Sequence, residues 1–340
     1  MVLVSGSTGM LGTHLLKRLC YTDDYTIRAL YRSEEKKQKT LYILNALVPN
    51  EFKHHITKIE WVKTDILDLY ELGKAFEGVT HVYHCAAWVG NSPKDYSQMR
   101  KINIKGTANM VNLAIEHKVD KFCHVSSIAT LGRYADNRPI DEEAIRETDN
   151  HRSLYSITKY GAEMEVWRAS QEGLDAVIIN PGIILGAGFF ESGSGLIFQK
   201  VLNNFKFYPP KRSGFVYVED VLNAMLTAMQ SDIENERFIV VSENLSFKMV
   251  MSYIAEVFKK KKPTIKAGTF MLYITWILQS IIGLFKPVKT KITRHTIKSM
   301  HSNFKYDNSK SINVLGINYT KIEDAIFNIY REYNLLNTTT

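Results

Sequence analysis

Cysteine is scarce in this chain: three in 340 residues, Cys20, Cys85 and Cys123. Three scattered thiols cannot build a disulfide framework or a tetrahedral zinc site, and they suit a reducing compartment. A membrane-spanning run is missing as well. The uncharged stretch 269–285 holds 17 residues and includes Thr, Gln, Ser and Gly, short of the roughly 20 apolar residues a span needs. Val2, Leu3 and Val4 follow Met1 directly and glycines come next, which leaves no room for a charged and then apolar secretory leader. A cytoplasmic protein is expected. Neither sign of charge dominates, with 43 Lys+Arg against 35 Asp+Glu and a net charge of +8. That excess is too modest to argue for a nucleic-acid partner. Internal repeats and low-complexity linkers are absent too. With 45% hydrophobic and 23% charged residues, wholesale disorder is excluded.

What is present is an alternation. Residues 1–4, 25–30, 59–62, 81–84, 121–125 and 176–179 read as short strands rich in β-branched side chains. Residues 11–19, 68–76, 96–116 and 154–172 carry apolar positions at helical spacing. Alternation of this kind predicts an α/β fold with a parallel sheet covered on both faces. After Pro181 the pattern turns glycine-rich and then mainly helical. The reading divides the chain into a sheet domain, 1–181, with later material near 215–242 interleaved, and a smaller lobe, 182–340.

Between the first strand and the first helix lies Ser5-Gly6-Ser7-Thr8-Gly9-Met10-Leu11-Gly12. Gly6 permits a tight turn, Gly9 lets backbone amides approach a pyrophosphate, and Gly12 lets helix and strand pack closely. The helix start then offers free N–H groups to phosphate. The pattern alone is a weak signal, but its place between strand and helix is the context a dinucleotide site requires. Gly6, Thr8, Gly9, Met10, Leu11 and Gly12 are therefore candidate cofactor contacts.

The second strand ends in Leu30-Tyr31-Arg32-Ser33, with no acid before Glu34. An NAD site usually places an acid here to bond the ribose 2′-hydroxyl. Arg32 can instead bond two oxygens of a 2′-phosphate, with Lys36, Lys37 and Lys39 as added charge. NADP(H) is the expected cofactor, and NAD(H) stays open. The competing reading of Lys36 and Lys37 is a solvated helix start. Asp65, followed by Ile66, is placed to accept from the adenine amino group, or else to cap the helix that follows.

Tyr155 and Lys159 sit one turn apart in Tyr155-Ser156-Ile157-Thr158-Lys159, and Ser126-Ser127 ends a strand whose C-terminal end faces the crevice. A phenol is a poor acid at neutral pH, with a pKa of about 10. A neighbouring ammonium and a nicotinamide charge are expected to lower it. The tyrosine could then exchange a proton with a substrate oxygen that the serine steadies.

With these motifs in place, the sequence resembles the extended short-chain dehydrogenase/reductase family. The likeness covers His84-Cys85-Ala86-Ala87, Asn103 to Thr107, Asn180-Pro181-Gly182, Phe215 to Asp220 and Tyr306 to Lys310. The resemblance implies a Rossmann-type doubly wound parallel sheet with a smaller, mainly helical C-terminal substrate lobe. It implies Ser127, Tyr155 and Lys159 as the catalytic set, Ser127 being chosen over Ser126 by its spacing to Gly132. It implies further cofactor contacts from Ala86, Ala87, Pro181 and Gly182. Arg28 to Arg32 and Ser126 to Ala129 look most like dihydroflavonol-reductase-type and 3β-hydroxysteroid-dehydrogenase-type members. Sugar-nucleotide epimerases commonly carry an arginine just before the Phe215 to Asp220 segment, where this chain has Ser213-Gly214.

The expected activity is interconversion of a secondary alcohol and a ketone on a fairly apolar small molecule. The rivals are a sugar-nucleotide epimerase or dehydratase and a non-catalytic NADP(H) sensor. No metal is expected: His81 and His84 lack a third ligand, and His81, His84 and His124 read as core histidines. Lysines bracket residues 269–285, so that stretch reads as a buried helix of the lobe or as a peripheral membrane contact. The resemblance also implies a homodimer through helices 96–116 and 154–172.

Overall fold

The computed structural model describes residues 1–90, 93–146, 153–268 and 303–338; the stretch 269–285 lies outside them. Strands β1 (Val2–Ser5), β2 (Ile27–Tyr31), β3 (Glu60–Lys63), β4 (His81–His84), β5 (Lys121–Val125) and β6 (Ala176–Pro181) alternate with helices. Later come β7 (Ile183–Leu185), β8 (Phe207–Tyr208), β9 (Arg212–Tyr217), β10 (Glu236–Val240), β11 (Glu243–Ser246) and β12 (Ile265–Lys266). The central sheet is parallel throughout, in the order β10-β6-β5-β4-β1-β2-β3. This is the doubly wound Rossmann-like arrangement, with a mainly helical C-terminal region. The chain order reverses between β1 and β4, and a crevice opens at the C-terminal ends of strands at such a point.

The helices are α1 (Met10–Leu19), α2 (Glu34–Leu47), α3 (Lys53–Ile56), α4 (Leu69–Ala75), α5 (Tyr96–Met99), α6 (Gly106–Glu116) and α7 (Leu154–Gln171). They continue with α8 (Leu196–Leu202), α9 (Val218–Gln230), α10 (Phe247–Val257), α11 (Ser309–Leu315) and α12 (Ile322–Thr338). Because strand side chains alternate, Val2 and Val4 face one layer and Leu3 the other. The first layer packs under α1, α9, α10 and α12; the second packs under α4, α6 and α7.

Local chemistry fixes the helix starts. Ser33 Oγ accepts from the Lys36 N–H at 3.3 Å to cap α2, and Ser153 Oγ accepts from Ser156 at 3.0 Å to cap α7. Asp68 caps α4, so the helix predicted from residue 68 begins there and not at Asp65. The single predicted helix 96–116 is interrupted by a π-helical stretch, Arg100–Lys105. A buried cation ties the C-terminal helix to the sheet layer: Lys17 Nζ on α1 sits 2.7 Å from Glu219 on α9 and 2.8 Å from Glu332 on α12. The Lys17 ammonium stands among His14, Glu219 and Glu332, whose ligand atoms gather closely enough to suggest a cation site.

Candidate active site

The turn after β1 meets the end of β4 with no room to spare. Gly6 has φ +68°, and a Cβ there would lie 2.6 Å from the Ala86 nitrogen. A Cβ on Gly12 would lie 2.3 Å from the Gly6 carbonyl oxygen. Ser5 Oγ bonds His84 Nδ1 at 2.7 Å, and His84 Nε2 meets Thr107 Oγ1 at 2.9 Å. Burial, and then the Lys159 charge, push His84 down to about 3, so it bridges β1 and α6 as a neutral ring. Helix α1 has no side-chain cap and no acid in its first turn, leaving its leading amides open to an anion.

Above this turn lies a cavity of about 390 Å³. Gly6, Thr8, Gly9, Arg32, Ile66, Ala86 and Ala87 line it, together with Ser33, Lys36, Thr64, Cys85 and Ile102. The glycine turn supplies donors and space at one wall, and cations stand at the other. A dinucleotide diphosphate fits that donor set.

Other predicted contacts lie elsewhere. Met10 opens α1, with its sulfur facing Gly186; Leu11 is buried in the core. Lys39 lies outside the cavity lining. Its Nζ pairs with Glu191 at 2.9 Å and rides over the Phe189 ring, because α2 turns it away while Lys36 faces inward. Asp65 pairs with Arg32 at 3.2 Å and accepts from the Leu67 N–H at 3.0 Å, closing a local turn. Pro181 ends β6 opposite Val240, and Gly182 packs against the Gly214 carbonyl, where a Cβ would come within 2.6 Å.

The second part of the site stands on β5 and α7. Ser127 Oγ accepts from the Ala129 N–H at 3.2 Å and lies close enough to the Tyr155 phenol to act on its pKa. Burial pushes that phenol up to about 12, with Ser127 working the other way. The expected effect of Lys159 on the phenol is not seen. Its ammonium donates to the Val125 carbonyl at 2.7 Å and lies 3.5 Å from His124 Nε2. Burial lowers Lys159 to about 8, opposed by the Glu163 carboxylate.

Beneath them lies a polar layer that spacing along the sequence did not reveal. Glu163 is fully buried on α7, one turn beyond Lys159. Its Oε2 accepts from Ser126 at 2.6 Å, Thr130 at 2.9 Å and Asn180 at 3.0 Å, and its Oε1 pairs with Arg237 at 3.2 Å. Asn180 also donates to the Ser127 carbonyl at 3.2 Å. Ser126 thus faces inward while Ser127 meets the tyrosine. Asn103, in the π-helical stretch, accepts from the Trp88 N–H at 2.7 Å and donates to the Trp88 carbonyl and Thr158, both at 3.0 Å.

Known proteins resemble this chain over nearly its whole length. The NAD dependent epimerase/dehydratase family matches residues 2–241. The chain belongs to that family. It is accordingly an NAD(P)-dependent enzyme of the extended short-chain dehydrogenase/reductase type, a class that includes oxidoreductases, epimerases and dehydratases. It is similar to a putative dihydroflavonol 4-reductase of Synechocystis, 24% identical over 330 residues, 95% of this chain and 91% of that protein. It is also similar to sterol demethylase protein B of Methylococcus capsulatus, 25% identical over 321 residues, 93% and 92% of the two chains. Among solved structures, the UDP-glucose 4-epimerase of Thermotoga maritima with UDP-glucose superposes with a TM-score of 0.74. At 19% identity, over 100% of this chain and 99% of the other, that likeness is one of fold.

Proposed function

We propose that the protein is an NADP(H)-dependent oxidoreductase that interconverts a secondary alcohol and a ketone on a fairly apolar small molecule. The observation that carries this reading is the pairing of Ser127 with Tyr155 beside the buried Lys159. A neutral phenol at neutral pH is the form that can donate a proton to a carbonyl oxygen. The neighbouring Ser127 hydroxyl can steady the same oxygen, while Lys159, held on the Val125 carbonyl, adds a positive charge to the buried pocket. Bound NADPH supplies the hydride.

Arg32, Ser33 and Lys36 line the far end of the cavity, and among the described residues no acid lines it. That favours a 2′-phosphate over a bare ribose hydroxyl. Asp65 holds the Arg32 guanidinium at the rim in an exposed ion pair, which a phosphate can displace at small cost. Trp88 and Val89 follow the cavity-lining Ala87 and are 37% and 61% exposed, an apolar lip beside the cleft. The names of the two relatives, a dihydroflavonol reductase and a sterol demethylase protein, support an apolar ring compound as substrate.

The test is NADPH consumption across a panel of apolar ketones, with Tyr155→Phe as control. Turnover of at least one ketone, abolished in the variant, is expected. Interconversion of a UDP-sugar without added cofactor, with every ketone untouched, would move the assignment to the epimerase class.

A further inference from the structure

The segments 196–212 and 246–268 carry ten lysines and arginines and a single acid, Glu256. The fold gathers much of this charge around one small feature, the β8–β12 ribbon. Phe207 pairs with Ile265 and Tyr208 with Lys266, and the Lys206 carbonyl accepts from the Thr264 and Ile265 amides at 3.0 and 2.9 Å. Lys248 Nζ rides 5.4 Å above the Tyr208 ring, and Lys200 Nζ lies 5.8 Å from the Phe205 ring. The rings of Phe205 and Phe207 are 5.4 Å apart. The run Lys259 to Lys262 reaches the ribbon two residues before Thr264, and all four of its lysines are exposed.

Apolar side chains stand out among these cations. Phe205 is 44% exposed, Met249 44% and Ile265 43%. Single exposed apolar side chains are ordinary on a solvated surface, but here three stand together among lysines. That mixture suits an interface where lysine stems lie along acyl chains and ammonium groups meet anionic headgroups. The sequence leaving the ribbon at Gly268 then runs 17 residues without a charge.

We propose that the β8–β12 ribbon and its surrounding lysines form a docking surface for an anionic lipid membrane. The chemistry is complementary in both parts: lysines for phosphatidylserine-like headgroups, and Phe205, Met249 and Ile265 for shallow insertion. No helix among the described residues is long and apolar enough to cross a membrane, and the contact proposed is a peripheral one. It brings the enzyme to a surface where apolar substrates dissolve. The surface lies outside the cofactor cavity and stands whether or not the ketone reductase reading holds.

The test is co-sedimentation of the full chain with vesicles of phosphatidylcholine alone, or with phosphatidylserine as the minority lipid. Binding is expected only to the anionic vesicles and falls as salt rises. Combined Lys206→Glu, Lys260→Glu and Lys266→Glu should weaken partitioning by about tenfold or more. Phe205→Ser with Ile265→Ser should weaken it separately, and thermal melting should show both variants folded. Unchanged sedimentation in the charge-reversed variant, equal binding to neutral vesicles, or no binding to either would overturn the proposal. Tighter capture of duplex DNA than of anionic vesicles in the same buffer would also overturn it, making the surface one for nucleic acid.

Discussion

The polar layer beneath α7 and the charged rim at the end of β2 serve one cleft and are built on opposite terms. Beneath α7, Glu163 and Asn180 are fully buried and Lys159 is 1% exposed, and each is held by short hydrogen bonds. At the rim, the side chains of Arg32 and Asp65 are 48% and 38% exposed and share one ion pair. A buried charge is costly unless paired, so its position is fixed as the chain folds. An exposed pair contributes about 0–1 kcal/mol and can be exchanged for a ligand. The fixed part suits proton transfer, and the open part suits selection of a cofactor.

The largest expected effect breaks the fixed side at its tip. Tyr155→Phe removes the proposed proton donor and little else, so turnover should fall by roughly 10²–10⁴-fold with the melting temperature nearly unchanged. A fall of similar size in stability would mean the phenol is structural. One turn deeper, Glu163→Leu leaves the Arg237 guanidinium with the Glu142 carbonyl but without its carboxylate partner, and removes the counter-charge of Lys159. It should cost about 3–5 kcal/mol, read by denaturant unfolding, with Glu163→Gln recovering part of the loss through its retained acceptor. Equal unfolding midpoints for wild type and the leucine variant would show that the layer is not under charge control.

Titration separates the two regions more gently. Burial lowers Lys159 from 10.5 to about 8. Between those values the unfolded chain holds a proton that the folded protein has released, so this residue's contribution to stability rises with pH across that window. Melting curves of wild type and Lys159→Met from pH 7 to 10 should therefore shift in the wild type's favour as pH rises; a constant gap would refute the lowered value. Elsewhere, against burial that works to raise it, His14 and Lys17 together hold the Glu219 carboxyl down at about 2, below its ordinary 4.5. That contribution is present above pH 4.5 and is lost as pH falls toward 2. Lys17→Met, which removes the ammonium holding α12, should flatten the acid limb of the stability profile.

Much of the architecture was legible because it rests on local signals. The glycines before α1, the strand–helix alternation and the one-turn spacing of Tyr155 and Lys159 all act within a few residues. What stayed hidden joins residues far apart in the chain. Glu163 meets Arg237 across 74 positions and Asn180 across 17; the β6–β10 pairing sets Arg237 and Asn180 on neighbouring strands, and α7 packs Glu163 against them. A signal was nonetheless available for Glu163, four residues after Lys159 on the same helical face. The π-helical stretch was also hidden, since 96–116 carries an unbroken helical period. Its effect is to seat Asn103 against both backbone groups of Trp88. Lys36 and Lys39 were equivalent as sequence, and only the pitch of α2 separates the one facing the cavity from the one paired with Glu191.

The proposed preference for the phosphate-bearing dinucleotide rests on the open rim around Arg32. A thermal-shift titration with NADPH and NADH, on wild type and Arg32→Ala, tests it most directly. At a hundredfold excess over the dissociation constant, bound cofactor adds about 2.7 kcal/mol of stability, a readily measured rise in melting temperature. The prediction is a stronger shift with NADPH than with NADH in the wild type, and the loss of that difference in Arg32→Ala. A wild-type protein that responds more strongly to NADH, with Arg32→Ala unchanged, would contradict it.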